Sequence, residues 1–348
     1  MKTAIPRFSI CVPTYNRGAK ALNMITTLLP EIDSDWELLV LDNASDYEHT
    51  EYPMISDLAE QHSNLRYFRH EFNGMFHGNY VACFEMALAP YIMVVSDEDF
   101  ANPEMIRNAI KALDTSTNLG VYRGSMAPMP GVHPRNSHTR PNQAFEAGAN
   151  ALVGFSFTNN YMSGTIYNRA LAERYGLIAR LRNNMEQQRV YPHLYMELLM
   201  AAVCDVTTTS EVACYEGHEQ ITTGGDPLLG VSHGPLWYNP PYSFGSRVDQ
   251  FIVLRDGLRE AVSLIEGEYN HTLFVNLYLR LCEKYFHLIS NVNSPLYKRY
   301  VMNLPLLQES FLYICGAAIS LYPELSGADT QIFEAIQKIY LRYASNNR

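Results

Sequence analysis

Between Phe8 and Val95, short apolar runs alternate with helical patterns, and that alternation leaves few folds open. Phe8-Ser9-Ile10-Cys11-Val12 reads as a strand stopped by Pro13. Ala19 to Leu29 has helical spacing, with Leu22, Ile25, Leu28 and Leu29 on one face. Glu37 to Leu41, Leu65 to Phe68 and Tyr91 to Val95 read as further strands, with helical stretches at Ile55 to Gln61 and Asn79 to Ala87. This pitch predicts an α/β fold with a mostly parallel, doubly wound sheet covered on both faces. Ligands of such sheets bind outside the carboxyl ends of the strands, near the switch in strand order. The strand ends here are Pro13-Thr14-Tyr15-Asn16-Arg17, Asp42-Asn43-Ala44-Ser45-Asp46, Arg69 to Asn73, and Asp97-Glu98-Asp99. All carry polar or aromatic groups fit to hold a nucleotide, and all are expected at one rim. No Gly-x-Gly-x-x-Gly or Walker-type loop occurs, so the grip is not that of dehydrogenases or P-loop ATPases.

The acidic triplet follows directly on the run Tyr91-Ile92-Met93-Val94-Val95. Along an extended chain, Asp97 and Asp99 would project to one side and Glu98 to the other. Two hard oxygen donors so close repel each other unless a cation sits between them. Mg²⁺ or Mn²⁺, with a phosphate as further ligand, resolves this. The same triplet could simply cap a helix or solvate a turn.

A net charge of −10 leaves no general basic surface for nucleic acid. An acidic protein that binds a polyanionic phosphate needs a local remedy, which a divalent cation supplies. The six cysteines are scattered without a Cys-x-x-Cys pair, which argues for free thiols in a reducing compartment. The N-terminus lacks signal-peptide anatomy, and the longest apolar stretch, Phe311 to Tyr322, is too short to span a bilayer. The expectation is a cytoplasmic protein, with room for peripheral contact at the inner face of the membrane.

Residues 124 to 150 read as a long irregular excursion, Ser163 to Tyr167 as a strand and Tyr191 to Val203 as an apolar helix. A second polar loop covers Glu216 to Arg247, and from Val248 the pattern is helical. The expected organisation is a nucleotide-sugar-binding and catalytic domain at 1–215, a polar loop or linker at 216–247, and a helical subdomain at 248–348. The C-terminal helices could bind the acceptor, rest on a membrane or form a homo-oligomer interface.

The motifs resemble the family 2 inverting glycosyltransferases of the GT-A fold. Phe8 to Arg17, Leu39 to Asp46, Asn64 to Arg69 with Asn73-Gly74 and Gly78-Asn79, the acidic triplet, and Met162 to Arg169 match in the family's order. The resemblance covers residues 1 to about 215. It implies a metal-dependent transferase moving a hexosyl or N-acetylhexosaminyl group from a nucleotide donor, a UDP-sugar foremost, to a hydroxyl. The acceptor it implies is a cell-envelope glycan, polyol-phosphate or lipid-linked saccharide. Asp99 is the expected metal ligand, with Asp97 on the ribose or sharing the metal through water, and Glu98 beside the donor. Asp42 is expected to accept the uracil N–H. Pro13, Thr14, Tyr15 and Asn16 would line the base, with Arg69 and Asn73 beside base or ribose. His218 or His233 would provide a further metal or diphosphate contact.

The chain departs from the family at the catalytic base. Where many members carry Glu-Asp, it reads Val190-Tyr191-Pro192-His193-Leu194-Tyr195-Met196-Glu197. His193 falls at the basic Asp, and its ordinary pKa suits a base near neutral pH. Glu197, one helical turn on, could orient His193 or be the base itself. The rival readings are a sugar-phosphate nucleotidyltransferase on a similar sheet and a non-catalytic nucleotide-sugar-binding or scaffold protein.

Overall fold

The computed structural model describes residues 5–46, 50–129, 139–158, 161–183, 191–217, 244–265 and 271–290, with a few positions between 334 and 342. Two compact units divide the chain, Met1–Gly225 and Asp226–Arg348.

The first unit is a mixed α/β layer structure. Its strands are β1 (Phe8–Thr14), β2 (Trp36–Asp42), β3 (Leu65–Arg69), β4 (Tyr91–Val94), β5 (Phe100–Ala101), β6 (Leu119–Pro128), β7 (Gln143–Phe145), β8 (Thr165–Asn168) and β9 (Asp205–Glu216). Between them lie α1 (Gly18–Leu28), α2 (Glu51–Gln61), α3 (Met75–Met86), α4 (Pro103–Thr115), α5 (Ala149–Phe155), α6 (Arg169–Arg174), α7 (Leu177–Asn183) and α8 (Pro192–Val203). The sheet order is β3-β2-β1-β4-β8-β6-β9-β5, with β7 on β9. The long pairings β1–β2, β2–β3, β1–β4 and β6–β9 are parallel. Shorter antiparallel ladders insert β8 between β4 and β6 and add β5 and β7 to β9.

Alternation along the strands builds the layers. Phe8, Ile10 and Val12 of β1, with Leu38 and Val40 of β2, face a core completed by Met24 and Ile25 of α1, Ile55 of α2, and Ile106 and Ile110 of α4. The opposite face of β1 and β2 meets α3. Both faces are therefore covered, which is why these strands read as unbroken apolar runs. β1 has β2 on one side and β4 on the other, so the strand order reverses at β1, and a crevice opens there beyond the carboxyl ends.

A polar knot secures the amino end of the sheet. Glu37 is buried, bonds Ser9 and Arg66, and accepts the Leu88 amide at 3.0 Å. Ser9 Oγ accepts the Ala89 amide at 3.2 Å, so the turn into β4 is fixed from two points. Removing one member of a buried pair strands the others. Because Arg66 is over one-third exposed, the cost is discounted for solvent screening. Glu37→Ala is expected to destabilise the protein by about 2 kcal/mol, checked as a fall in the denaturation midpoint without change in slope.

Several boundaries differ from the sequence expectation. Residues 124–128 are not irregular: β6 runs on to Pro128, because β9 pairs with it along its length across register shifts. Gly124 permits that closeness, since a Cβ there would lie 2.4 Å from the Ala213 Cβ. Helix α3 starts at Met75 rather than near Asn79, and α2 at Glu51. In the second unit, α9 (Phe244–Ser263) begins inside the stretch read as loop, and α10 (His271–Ser290) follows. Phe251, Leu254 and Leu258 of α9 are buried, as are Phe274, Leu277 and Leu281 of α10, and the two helices pack together. Among the described residues no helix is long and apolar enough to cross a membrane.

Candidate nucleotide-sugar site

The carboxyl ends of β1, β2 and β4 converge where the strand order reverses, and their side chains are braced across one another. Asn16 and Ala44, just past β1 and β2, have φ of 52° and 60°, a left-handed backbone that non-glycine residues rarely adopt. Cross-links hold them there. The Asn16 amide N–H donates to Ser45 Oγ at 2.8 Å, and its side chain exchanges two bonds with Asp46, at 2.7 and 2.8 Å.

Asp42 ends β2 and is fully buried. Its carboxylate accepts the Ser45 amide and the Tyr67 hydroxyl, each at 2.9 Å, and Arg69 Nε lies 3.3 Å away. Arg69 also donates to the Ser45 carbonyl at 2.7 Å. The Ser45 bond is the turn-forming contact of an Asx residue. Three partners leave about one of four lone-pair sites for a ligand. Asn43 donates to Asn73 at 2.8 Å and accepts the Gly74 amide at 2.9 Å, bringing the 73–75 turn to the same rim. Thr14, at the end of β1, points instead to the acidic triplet.

The triplet is not extended. The Asp99 amide donates to the Ser96 carbonyl at 3.0 Å, so residues 96–99 form a turn. The expected opposition of Glu98 to Asp97 is therefore wrong: both face Arg17. Arg17 Nη1 lies 3.0 Å from Asp97 Oδ1, and Nη2 bonds Glu98. Lys20 Nζ is 3.8 Å from the same Glu98 carboxylate. Thr14 Oγ1 donates to Asp97 Oδ2 at 2.8 Å. Burial pushes the Asp97 carboxyl up, against the opposing pull of Arg17 and Thr14. Burial disfavours the Arg17 cation, and the charges of Asp97 and Glu98 more than offset it.

Asp99 sits deeper, fully buried. It accepts the Ser163 hydroxyl at 2.6 Å and the Gly217 amide at 3.0 Å. Burial pushes this carboxyl up to about 7; Ser163 and Gly217 oppose the rise, and Glu98 and Glu216 add to it. Gly217 has no room for a side chain, since a Cβ would fall 1.5 Å from the Glu98 carbonyl oxygen.

The donor set suits a hard divalent cation. Asp97 and Asp99 offer carboxylate oxygens, and Asp99 is a buried acid whose charged form a cation would stabilise. Among the described residues no group of three acidic, histidine or cysteine side chains is placed to hold a metal. Two carboxylates would supply hard oxygen donors of the kind Mg²⁺ or Mn²⁺ takes. His218 and His233, the further ligands suggested by sequence, lie outside the described residues.

The expected base lies on α8. Helix α8 ends at Val203, and the Asp205 amide bonds the Asn118 carbonyl beside the start of β6. β6 is antiparallel to β8 and β8 to β4, so β6 begins at the amino edge of the sheet. The start of α8 therefore lies at the opposite, carboxyl edge. His193, in its first turn, is buried, with the rings of Tyr80 and Tyr191 6.4 and 5.4 Å away. Glu197, one turn deeper and also buried, accepts the Thr165 hydroxyl at 3.2 Å. Arg123 bonds the same hydroxyl and the Tyr161 carbonyl; burial lowers its guanidinium to about 10, with Glu197 opposing the fall.

Sequence reasoning assigns no individual role to Arg17, Ser163 or Gly217. Arg17 stood in the first motif, and Ser163-Gly164 opened the acceptor-side segment. Gly217 had no signal beyond its place between Glu216 and His218. Pro13 is buried within β1, whereas Tyr15 is only partly covered.

The family model described as glycosyl transferase family 2 matches residues 9–176. No curated protein matched the sequence. Among solved structures, S. aureus TarS 1-349 aligns with TM-score 0.62 at 16% identity, covering 98% of this chain and 90% of that one. The same protein in complex with UDP-GlcNAc aligns with TM-score 0.62 at 17% identity and the same coverage. At such identity the likeness is one of fold, here GT-A. The N-terminal unit, matched from residue 9 to residue 176, belongs to glycosyl transferase family 2.

Proposed function

We propose that the protein is a metal-dependent inverting glycosyltransferase that moves a sugar from a UDP-sugar to a hydroxyl of a cell-envelope glycan, polyol-phosphate or lipid-linked saccharide. One observation supports the reading: Asp42 ends β2 and Asp97 and Asp99 follow β4, at the strand ends flanking β1 where the order reverses, within the segment that matches the family 2 model. TarS, a protein of the same fold, has been crystallised with UDP and with UDP-GlcNAc, which supports uracil over other bases.

In this reading the remaining acceptor site of Asp42 takes the uracil N–H, with Pro13, Thr14, Tyr15 and Asn16 beside the ring. Arg69 and Asn73 flank the ribose. Asp97 and Asp99 would hold the divalent cation, which would supply Lewis-acid neutralisation of the diphosphate leaving group. Ser163 and Gly217 fix the Asp99 carboxylate in one rotamer. On the acceptor side His193 takes the hydroxyl proton, and Glu197, anchored by Thr165 and facing Arg123, positions it.

The test is thermal stabilisation by UDP with and without Mn²⁺, followed by a screen of nucleotide-sugars for slow hydrolysis. Wild type should gain several degrees from UDP with Mn²⁺ and hydrolyse UDP-sugars preferentially. No response to UDP in either condition would overturn the reading. Asp42→Ala is expected to weaken UDP about tenfold, on the scale of one charge-assisted hydrogen bond, leaving Mn²⁺ binding intact. Calorimetric titration checks it, and unchanged UDP affinity would take Asp42 out of base recognition.

A further inference from the structure

Arg17 occupies ground that a bound cation would need. Its guanidinium spans two members of the triplet, with Nη1 3.0 Å from Asp97 Oδ1 and Nη2 on Glu98. The other Asp97 oxygen already accepts from Thr14 at 2.8 Å. A divalent cation on Asp97 and a guanidinium 3.0 Å from the same carboxylate repel each other and contend for the same space. The side chain is 28% exposed and can leave. Its backbone is fixed, because the Arg17 amide donates to the Tyr52 hydroxyl at 3.0 Å, itself 2.9 Å from Thr14 Oγ1. Displacement would thus be a side-chain swing at the foot of α1. A planar guanidinium fork, once released, matches phosphate oxygens.

We infer that Arg17 is the resident counter-ion of the triplet, displaced by the divalent cation as the donor arrives and then pairing with the donor's diphosphate. This rests on the rim being a nucleotide site. Arg17 then makes metal and nucleotide binding mutually dependent: the metal frees the guanidinium for the diphosphate, and the diphosphate holds it away from the metal. Linkage requires the two effects to be equal in size. Metal alone should bind weakly, because it must break the ion pair unaided.

The experiment is calorimetric titration of Mn²⁺ alone, UDP alone and each in the presence of the other, for wild type and Arg17→Gln. The variant should bind Mn²⁺ alone about tenfold more tightly, within the usual range of coupling between sites. The factor by which Mn²⁺ tightens UDP should fall to a similar degree. Arg17→Lys keeps one charge but cannot span both carboxylates, so its affinity for Mn²⁺ alone should be intermediate. It also decides the matter if Arg17→Gln fails to fold. Mn²⁺ affinity equal to or below wild type in the variants overturns the inference. Wild type that binds both ligands, with variants of unchanged coupling, overturns this inference alone. Wild type that binds neither overturns the transferase reading as well.

Discussion

Asp99→Asn protein will melt several degrees above wild type at pH 8 in chelator, and it will lose the stabilisation that UDP gains from Mn²⁺. Two opposite effects of one substitution follow from where Asp99 lies. Its oxygens accept from Ser163 and Gly217, and both contacts survive in the amide. The asparagine carbonyl can take the Gly217 N–H, while its NH₂ faces a Ser163 hydroxyl that turns from donor to acceptor. The fold is kept and the buried charge is gone. The sign with pH is fixed by a folded-state value near 7, above the ordinary 3.8. Across that interval folded wild type retains a proton that the unfolded chain has released, so wild-type stability falls as pH rises from about 4 to 7 and then levels. The variant has no such loss. The difference in midpoint should be small at pH 4, grow through the window and plateau. One pKa unit is about 1.4 kcal/mol, and 1 kcal/mol moves the midpoint of a domain this size by about 2–4 °C. Turnover should fall at least about 100-fold, as when a transition-state charge loses a direct partner. Equal midpoints at pH 8 would show that burial does not raise the Asp99 carboxyl, and a Mn²⁺-dependent gain that persists in the variant would remove Asp99 from the metal site.

His193→Ala is expected to cut turnover by about 10²- to 10⁴-fold while leaving UDP stabilisation nearly unchanged; the melting midpoint falls, because the buried ring packed against Tyr80 and Tyr191 is lost. The histidine stands in the first turn of α8 at the carboxyl edge of the sheet, whereas Glu197 is a turn deeper beside Thr165. Glu197→Gln lowers the midpoint by a different route: it keeps the side-chain volume but removes the carboxylate facing the fully buried Arg123. The pair of variants therefore separates proton transfer from positioning. Normal turnover in His193→Ala with loss in Glu197→Gln would assign the base to Glu197. Neither variant should alter Mn²⁺ affinity, because both residues stand apart from the triplet's hydrogen bonds.

The parallel sheet was legible because β1, β2 and β4 are buried on both faces and alternate with helices of clear period. Asp42, Asp97 and Asp99 were legible for a related reason: polar residues that abruptly end an apolar run must sit at an edge. The shape of the triplet was not. Alternation predicts side-chain direction only while the chain stays extended, and the Ser96–Asp99 turn ends that condition. Arg17, Ser163 and Gly217 were hidden because their partners lie 64 to 118 positions away along the chain, beyond any local pattern. The strand through 124–128 was missed because Gly and Pro signal breaks in isolation. Here a glycine is what lets two strands approach.

The cross-bracing between the ends of β1 and β2 bears on how such an enzyme could change its donor. Asn16, Ser45 and Asp46 hold one another, and Asn43 ties in Asn73 and Gly74, with left-handed backbone at Asn16 and Ala44. A wall assembled in this way has little slack, so its conformational entropy is surrendered at folding rather than at ligand capture. One exchanged side chain would loosen the whole wall before it reshaped any part of it. With the UDP-sugar donor proposed above, a switch to purine donors would then require several simultaneous replacements across three loops, and evolution by single steps should find the acceptor side easier to alter.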